Sequence, residues 1–93
     1  MPVPYRSTAV FDERTLPAGL RGEHSTKAGV WGVIRVLEGR LKLELLDEGS
    51  ETILTPDNPG VVLPEQPHRV TPLGPMRMCV EFYDAPPGAR SLA

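Results

Sequence analysis

Hydrophobic and polar residues alternate most cleanly over Arg40-Leu-Lys-Leu-Glu-Leu-Leu46, where Leu41, Leu43 and Leu45 fall on one side and Arg40, Lys42 and Glu44 on the other. Successive side chains of an extended chain point to opposite faces, so this period of two predicts a strand with one buried and one wet face. Arg77 to Tyr83 repeats the pattern, with Met78, Val80 and Phe82 as the inner set and Cys79, Glu81 and Tyr83 as the outer set. Val30 to Leu37 is more continuously apolar, and Glu38-Gly39 supplies the flexible residue of a tight turn. Residues 30 to 46 are therefore expected to form a hairpin.

Shorter runs complete the pattern. Asp47-Glu-Gly-Ser50 predicts a turn, and Glu51 to Thr55 a strand ended by Pro56-Asp-Asn-Pro59, since proline cannot donate to a ladder. Val61 to Leu63 and His68 to Thr71 read as strands separated by the turn Pro64 to Pro67, while Ser7 to Phe11 and Leu20 to His24 carry weaker strand signals. Eleven prolines and nine glycines leave pieces too short for helices. The expected fold is all-β, a jelly-roll barrel or sandwich of about six to eight short antiparallel strands. No repeat or low-complexity tract interrupts it. Residues 1–93 suit a single domain with its core within about 5–84 and a loose tail over 85–93.

The hydrophobic share of 40% supports a modest core. A net charge of -2 without a basic stripe argues against a nucleic-acid groove. No apolar run approaches the roughly 20 residues that span a bilayer, and Met-Pro-Val-Pro-Tyr-Arg lacks the order of a signal peptide. The expected setting is cytoplasmic, with no membrane partner. Cys79 is the single cysteine, so no internal disulfide forms, and its place in a strand favours a packed, inert thiol.

Candidate chemistry centres on two histidines, His24 in His-Ser-Thr-Lys-Ala-Gly-Val-Trp-Gly32 and His68 after Pro64-Glu-Gln-Pro67. Both adjoin strands and are expected to meet at one mouth of the barrel. Two imidazoles joined by a carboxylate suit a divalent metal such as zinc, iron or manganese. Glu65, three residues before His68, is the candidate third ligand; Glu81 alternates away from the inner face. The structural alternative has His24 bonding a loop backbone and His68 capping a strand. Lys27 is a candidate for an oxyanion or carboxylate, with Arg35 and Arg69 as helpers, or else a solvated lysine. Trp31 is a candidate stacking surface for a ligand, or else a core residue. Glu44, Asp47, Glu48 and Glu51 read as a solvated edge that discourages aggregation.

Gly60-Val-Val-Leu-Pro-Glu-Gln-Pro-His68 resembles the second motif of the cupin superfamily, in which a glycine, a short strand and a proline turn deliver a histidine into a barrel. Leu16-Pro17, His24, Thr26-Lys27, Gly29, Trp31-Gly32, Leu37, Gly39, Leu41, Pro64, His68 and Phe82-Tyr83 together resemble the TehB/YeaR-like family associated with tellurite resistance. The likeness runs from about Tyr5 to Asp84, and His-x-Thr-Lys-x-Gly-x-Trp-Gly is its specific part. Pro67 stands where that family usually has a tryptophan, and two histidines in all preclude a three-histidine cupin site. The resemblance implies a cupin-like fold and a stand-alone form of a domain that also occurs fused to a methyltransferase. The chain lacks the strand, glycine-rich loop and helix that usually hold S-adenosylmethionine.

These readings lead to a cupin-like domain binding a metal ion or a small anionic ligand through His24, Lys27, Trp31 and His68, in a stress or resistance role. Two alternatives stay open: a metal-dependent oxygenase or isomerase, and an interaction module without a ligand. A homodimer is expected.

Overall fold

Alternation sets the two layers. The computed structural model describes residues 3–87, so most of the expected tail lies outside the described residues. The elements are β1 (Arg6–Ser7), β2 (Phe11–Asp12), α1 (Ala18–Arg21), β3 (Trp31–Glu38), β4 (Leu41–Leu45), β5 (Ser50–Leu54), β6 (Gly60–Val62), β7 (His68–Pro72) and β8 (Arg77–Tyr83). One sheet has the order β1-β8-β3-β6, with β2 also beside β8; the other is β5-β4-β7. Every strand pairing is antiparallel. The fold is all-β, as expected, with one four-residue helical turn where Leu20 to His24 suggested a strand.

Leu41 and Leu43 of β4 are buried while Lys42 stays partly open. On β8, Met78 and Val80 enter the core and Phe82 packs against it, so the inner set is the expected one. Ile34, Val36 and Val62 of the larger sheet meet Leu41, Leu43, Leu54 and Val70 of the smaller, with Leu16 and Met76 added from loops. Trp31, Val33 and Arg35 alternate to the outer face of the larger sheet. The expected single strand from Ser7 to Phe11 is instead the two short strands β1 and β2, both paired with β8.

The hairpin expected over residues 30 to 46 does not form. β3 and β4 lie in different sheets, β3 between β6 and β8, and β4 between β5 and β7. The register shift between Val36 and Glu38 marks an irregularity that frees Leu37 from the ladder, and such a bulge bends a strand. Gly39 then takes φ +78, a region that suits glycine. Its bare Cα packs against the Pro75 carbonyl and lies so that a Cβ would sit 3.0 Å from the Met76 Cα. The turn thus hands the chain from one sheet to the other. No helix among the described residues is long and apolar enough to cross a membrane.

Candidate functional site

β7 carries His68, Val70 and Pro72 on one face, and His68 and Val70 are buried while Arg69 and Thr71 are exposed. His68 therefore points inward for the same reason that Val70 does. Across from it, outside any named strand, His24 forms an isolated antiparallel bridge. The His24 N–H donates to the His68 carbonyl and the His68 N–H to the His24 carbonyl, both at 2.8 Å. Residues that exchange both backbone bonds stand directly opposite, with side chains on one face. The rings meet edge to face, with centroids 5.3 Å apart and planes at 82°. The two histidines, far apart in the chain, thus stand side by side.

The turn before His68 is held by Gln66, which is 5% exposed. Its Oε1 accepts the Leu63 N–H at 3.0 Å, and its Nε2 donates to Asp47 at 3.2 Å. His68 Nδ1 lies 2.9 Å from the Gln66 carbonyl. A carbonyl only accepts, so Nδ1 carries the proton, and Nε2 of the neutral ring is an acceptor. Burial lowers the His68 pKa below the usual 6.5; the bond to Gln66 opposes this, and nearby His24 adds to it. A neutral ring is the stable form at pH 7.

Both rings line a cleft of about 180 Å3 between the sheets. Its apolar walls include Phe11, Leu20, Ile34, Val70, Val80 and Phe82, and its polar residues are Thr8, Thr26, His24 and His68. The threonines are already engaged. Thr8 Oγ1 donates to the Ala9 carbonyl at 2.8 Å and accepts the Val80 N–H at 3.0 Å. Thr26 Oγ1 donates to the Val30 carbonyl at 2.7 Å. His24 Nδ1, by contrast, is buried without a hydrogen-bond partner.

The other candidates stand apart from the cleft. Glu65 adopts φ 59 in the turn and is exposed, and among the described residues no three His, Cys, Asp or Glu side chains cluster as a metal site would require. Glu65 is therefore not a third ligand. Lys27 is exposed and lines a neighbouring shallower hollow with Tyr5, Arg6 and Ser25, which His24, Thr26 and Phe82 border as well. Its expected helpers are elsewhere, Arg35 paired with Glu81 at 3.0 Å and Arg69 with Glu44 at 2.9 Å. Trp31 pairs with Tyr83 across the larger sheet and does not line the cleft. Alternation puts it on the outer face, so it is neither a ligand surface there nor part of the core cluster. Cys79 is half-buried, and burial pushes its thiol pKa up, as an unreactive thiol requires.

Alternation turns Val80 and Phe82 inward but does not say which inner residues border open volume, and neither Leu20 nor the Gln66 brace carries a periodic signal that would place it here. A glutamine enclosed between two prolines, Pro64 and Pro67, was the one available hint that the turn needs an internal brace.

The TehB-like domain family matches residues 6–80. The chain is 36% identical over 85 residues to a Haemophilus influenzae (strain KW20/Rd) protein named "Probable S-adenosyl-L-methionine-dependent methyltransferase TehB", covering 85% of this chain and 30% of that protein. The corresponding protein of strain 10810 is 35% identical over the same length. The crystal structure of TehB from Haemophilus influenzae is similar with a TM-score of 0.78 at 34% identity, covering 88% of this chain and 31% of that one. A crystal structure of a protein from Escherichia coli K12 is similar with a TM-score of 0.78 at 25% identity, covering 91% of this chain and 92% of that one. The chain thus spans about a third of the length of the methyltransferase relatives and nearly all of the Escherichia coli protein.

These likenesses correct the expected function and cofactor. The curated relatives are named for methyl transfer from S-adenosylmethionine, not as metal-binding cupins, metal-dependent oxygenases or ligand-free modules. Neither of these two relatives is named for a divalent metal, whether zinc, iron or manganese, and the described residues hold no three-ligand cluster for one. Lys27 lies outside the apolar cleft, in the neighbouring hollow that Arg6 and His24 also line. S-adenosylmethionine does not fit the described residues either: their one helix has four residues and no glycine-rich loop leads into it from a strand. With the match covering most of its length, the chain belongs to the TehB-like domain family.

Proposed function

We propose that this domain binds a small, neutral, largely apolar molecule in the cleft between its sheets. It does so as an accessory to methyl transfer, in a tellurite-resistance or related stress role. The observation that carries the reading is the cleft itself. Its volume of about 180 Å3 exceeds the roughly 150 Å3 of an apolar cavity able to take benzene. Ligand sites of this type are lined mainly by apolar and aromatic groups with a few polar ones that fix orientation. Phe11 and Phe82 supply the first kind and the histidine pair the second. Methyl transfer enters through the names of the Haemophilus relatives, whose remaining two thirds have no counterpart in this chain. A cytoplasmic setting, in which Cys79 stays a thiol, goes with this reading.

Titrating the protein with benzene, toluene and phenol while following side-chain methyl resonances tests it. The expected result is saturable shifts centred on Ile34, Val70 and Val80. Absence of shifts with all three compounds, or shifts centred on the outer sheet faces, would overturn it.

A further inference from the structure

We infer that residues 17–23, with α1 at their centre, form a gate through which the ligand enters and leaves the cleft, and that Gly19 and Gly22 are its hinges. The inference rests on the proposed small-molecule reading and starts from what holds each wall of the cleft. The strand residues stand on paired ladders, and Thr8, His24 and Thr26 are tied to other segments by backbone bonds or bridges. Pro17 and Leu20 are the wall residues without such a tie. The backbone bonds of their segment stay within it, from the Leu20 N–H to the Pro17 carbonyl at 3.0 Å and from the Gly22 N–H to the Ala18 carbonyl at 3.1 Å. A single helical turn is marginal on its own, and no residue of α1 is buried. On either side the chain is fixed, by Leu16, 5% exposed in the core, and by His24, through its paired bonds to His68.

Every other described glycine takes a positive φ or brings its backbone so near a neighbour that a Cβ would crowd it. Gly19 and Gly22 do neither: a Cβ at Gly19 meets nothing within 4 Å, and one at Gly22 meets only the Ala18 carbonyl, at 3.9 Å. The closed form gives them no reason to be glycine, and Gly19 weakens the turn it stands in. Their use lies in the open form. Glycine regains the most backbone freedom when a segment loosens, and the hinges of gating segments are loop or element-terminal positions that absorb such rotation. Gly22 is the C-cap of α1, already extended at φ -100. Arg21 is the latch, its guanidinium donating to the Glu13 carbonyl. The side of the cleft shared with the neighbouring hollow is held instead, His24 by the bridge to His68, Thr26 by its bond to the Val30 carbonyl and Phe82 by β1 and β3 flanking β8.

Toluene exchange, timed by methyl NMR at Ile34 and Val70 in the unaltered protein, in Gly19→Ala/Gly22→Ala and in Arg21→Ala, tests the gate. Alanine fits both glycine sites and steadies the closed turn. Entry and exit should therefore slow together by about fivefold, the order of the glycine-to-alanine difference at a helical position, with Kd unchanged. Arg21→Ala frees the latch and should speed both. Without ligand, relaxation dispersion should report microsecond-to-millisecond motion over residues 18–23 and not over β3 or β8, damped in the double alanine variant. Toluene rates equal in all three proteins, or motion spread evenly over the molecule, would overturn the gate while leaving the cleft reading intact. Failure of toluene to bind the unaltered protein would overturn both.

Discussion

At one end of the interior Leu41 and Leu54 are fully enclosed and Met76 is 2% exposed, whereas at the other Phe11, Leu20 and Phe82 are only partly covered around the cleft. The two ends share the same strands. β4 runs from Leu41, opposite Leu54, to Leu45, opposite His68. The difference lies in what closes each end. Gly60 brings its backbone so near that a Cβ would lie 2.8 Å from Leu43 and 2.9 Å from Leu54. At the cleft the chain instead supplies a one-turn helix with no buried residue and a pair of histidines. Alternation alone makes an interior; loops and glycines decide which part of it is filled.

The largest expected effect separates the two ends directly. Leu54→Ala should cost about 2 to 5 kcal/mol, because a fully enclosed leucine leaves a cavity its neighbours cannot collapse into. That is a large part of the roughly 5 to 15 kcal/mol that holds a small domain together. Phe82→Ala should cost less than the about 3 kcal/mol at which fully buried phenylalanines begin, since its ring already borders open volume. Urea denaturation of the two variants measures the gap. Equal costs would mean that the cleft is closed in solution.

Two glycines sharpen the comparison at smaller scale. Gly39 and Gly29 have nearly the same backbone, φ +78 and +76. A Cβ at Gly29 meets nothing within 4 Å, while one at Gly39 meets the Pro75 carbonyl and Met76. Gly29→Ala should cost only the conformational penalty of about 1 to 2 kcal/mol. Gly39→Ala should cost that and more, because the neighbouring atoms are backbone and cannot swing aside. Thermal unfolding of both variants checks the order, and a Gly29 variant as destabilised as Gly39→Ala would contradict it.

Strand existence was legible because it rests on local alternation. β8 begins at Arg77 and ends at Tyr83, as its pattern requires, and β7 turns His68 inward with Val70. The pairing of strands was less legible. Glu38-Gly39 has the composition of a hairpin turn, but composition does not distinguish a turn within one sheet from a bridge between two. What decides is the irregularity after Val36 and the contact of Gly39 with Pro75, a residue far along the chain. The meeting of His24 with His68 was readable from their matching positions beside strands. The failure of Glu65, Arg35, Arg69 and Trp31 to join them was not, since it depends on a left-handed turn residue, on ion pairs across strands and on the facing of β3.

The smallest expected effect concerns protons at the open end. His68 has its pKa lowered in the folded protein, chiefly by burial, so the folded state binds this proton more weakly than the unfolded chain does. Stability rises with pH wherever the unfolded chain holds more protons. The His68 contribution is therefore complete above the ordinary value of 6.5 and is lost as pH falls through the lowered folded value. Asp12 and Glu44 also have lowered values, but from carboxylate starting points of 3.8 and 4.5, so their losses begin at lower pH. Between neutrality and about pH 5, where histidine titrates, the Tm should drop modestly. His68→Asn should flatten that slope, because its amide nitrogen is placed to donate to the Gln66 carbonyl without titrating. Leu54→Ala, at the closed end, should lower the whole curve and keep its slope. A pH slope unchanged in His68→Asn would place the titrating group elsewhere and remove the distinction in protonation between the two ends.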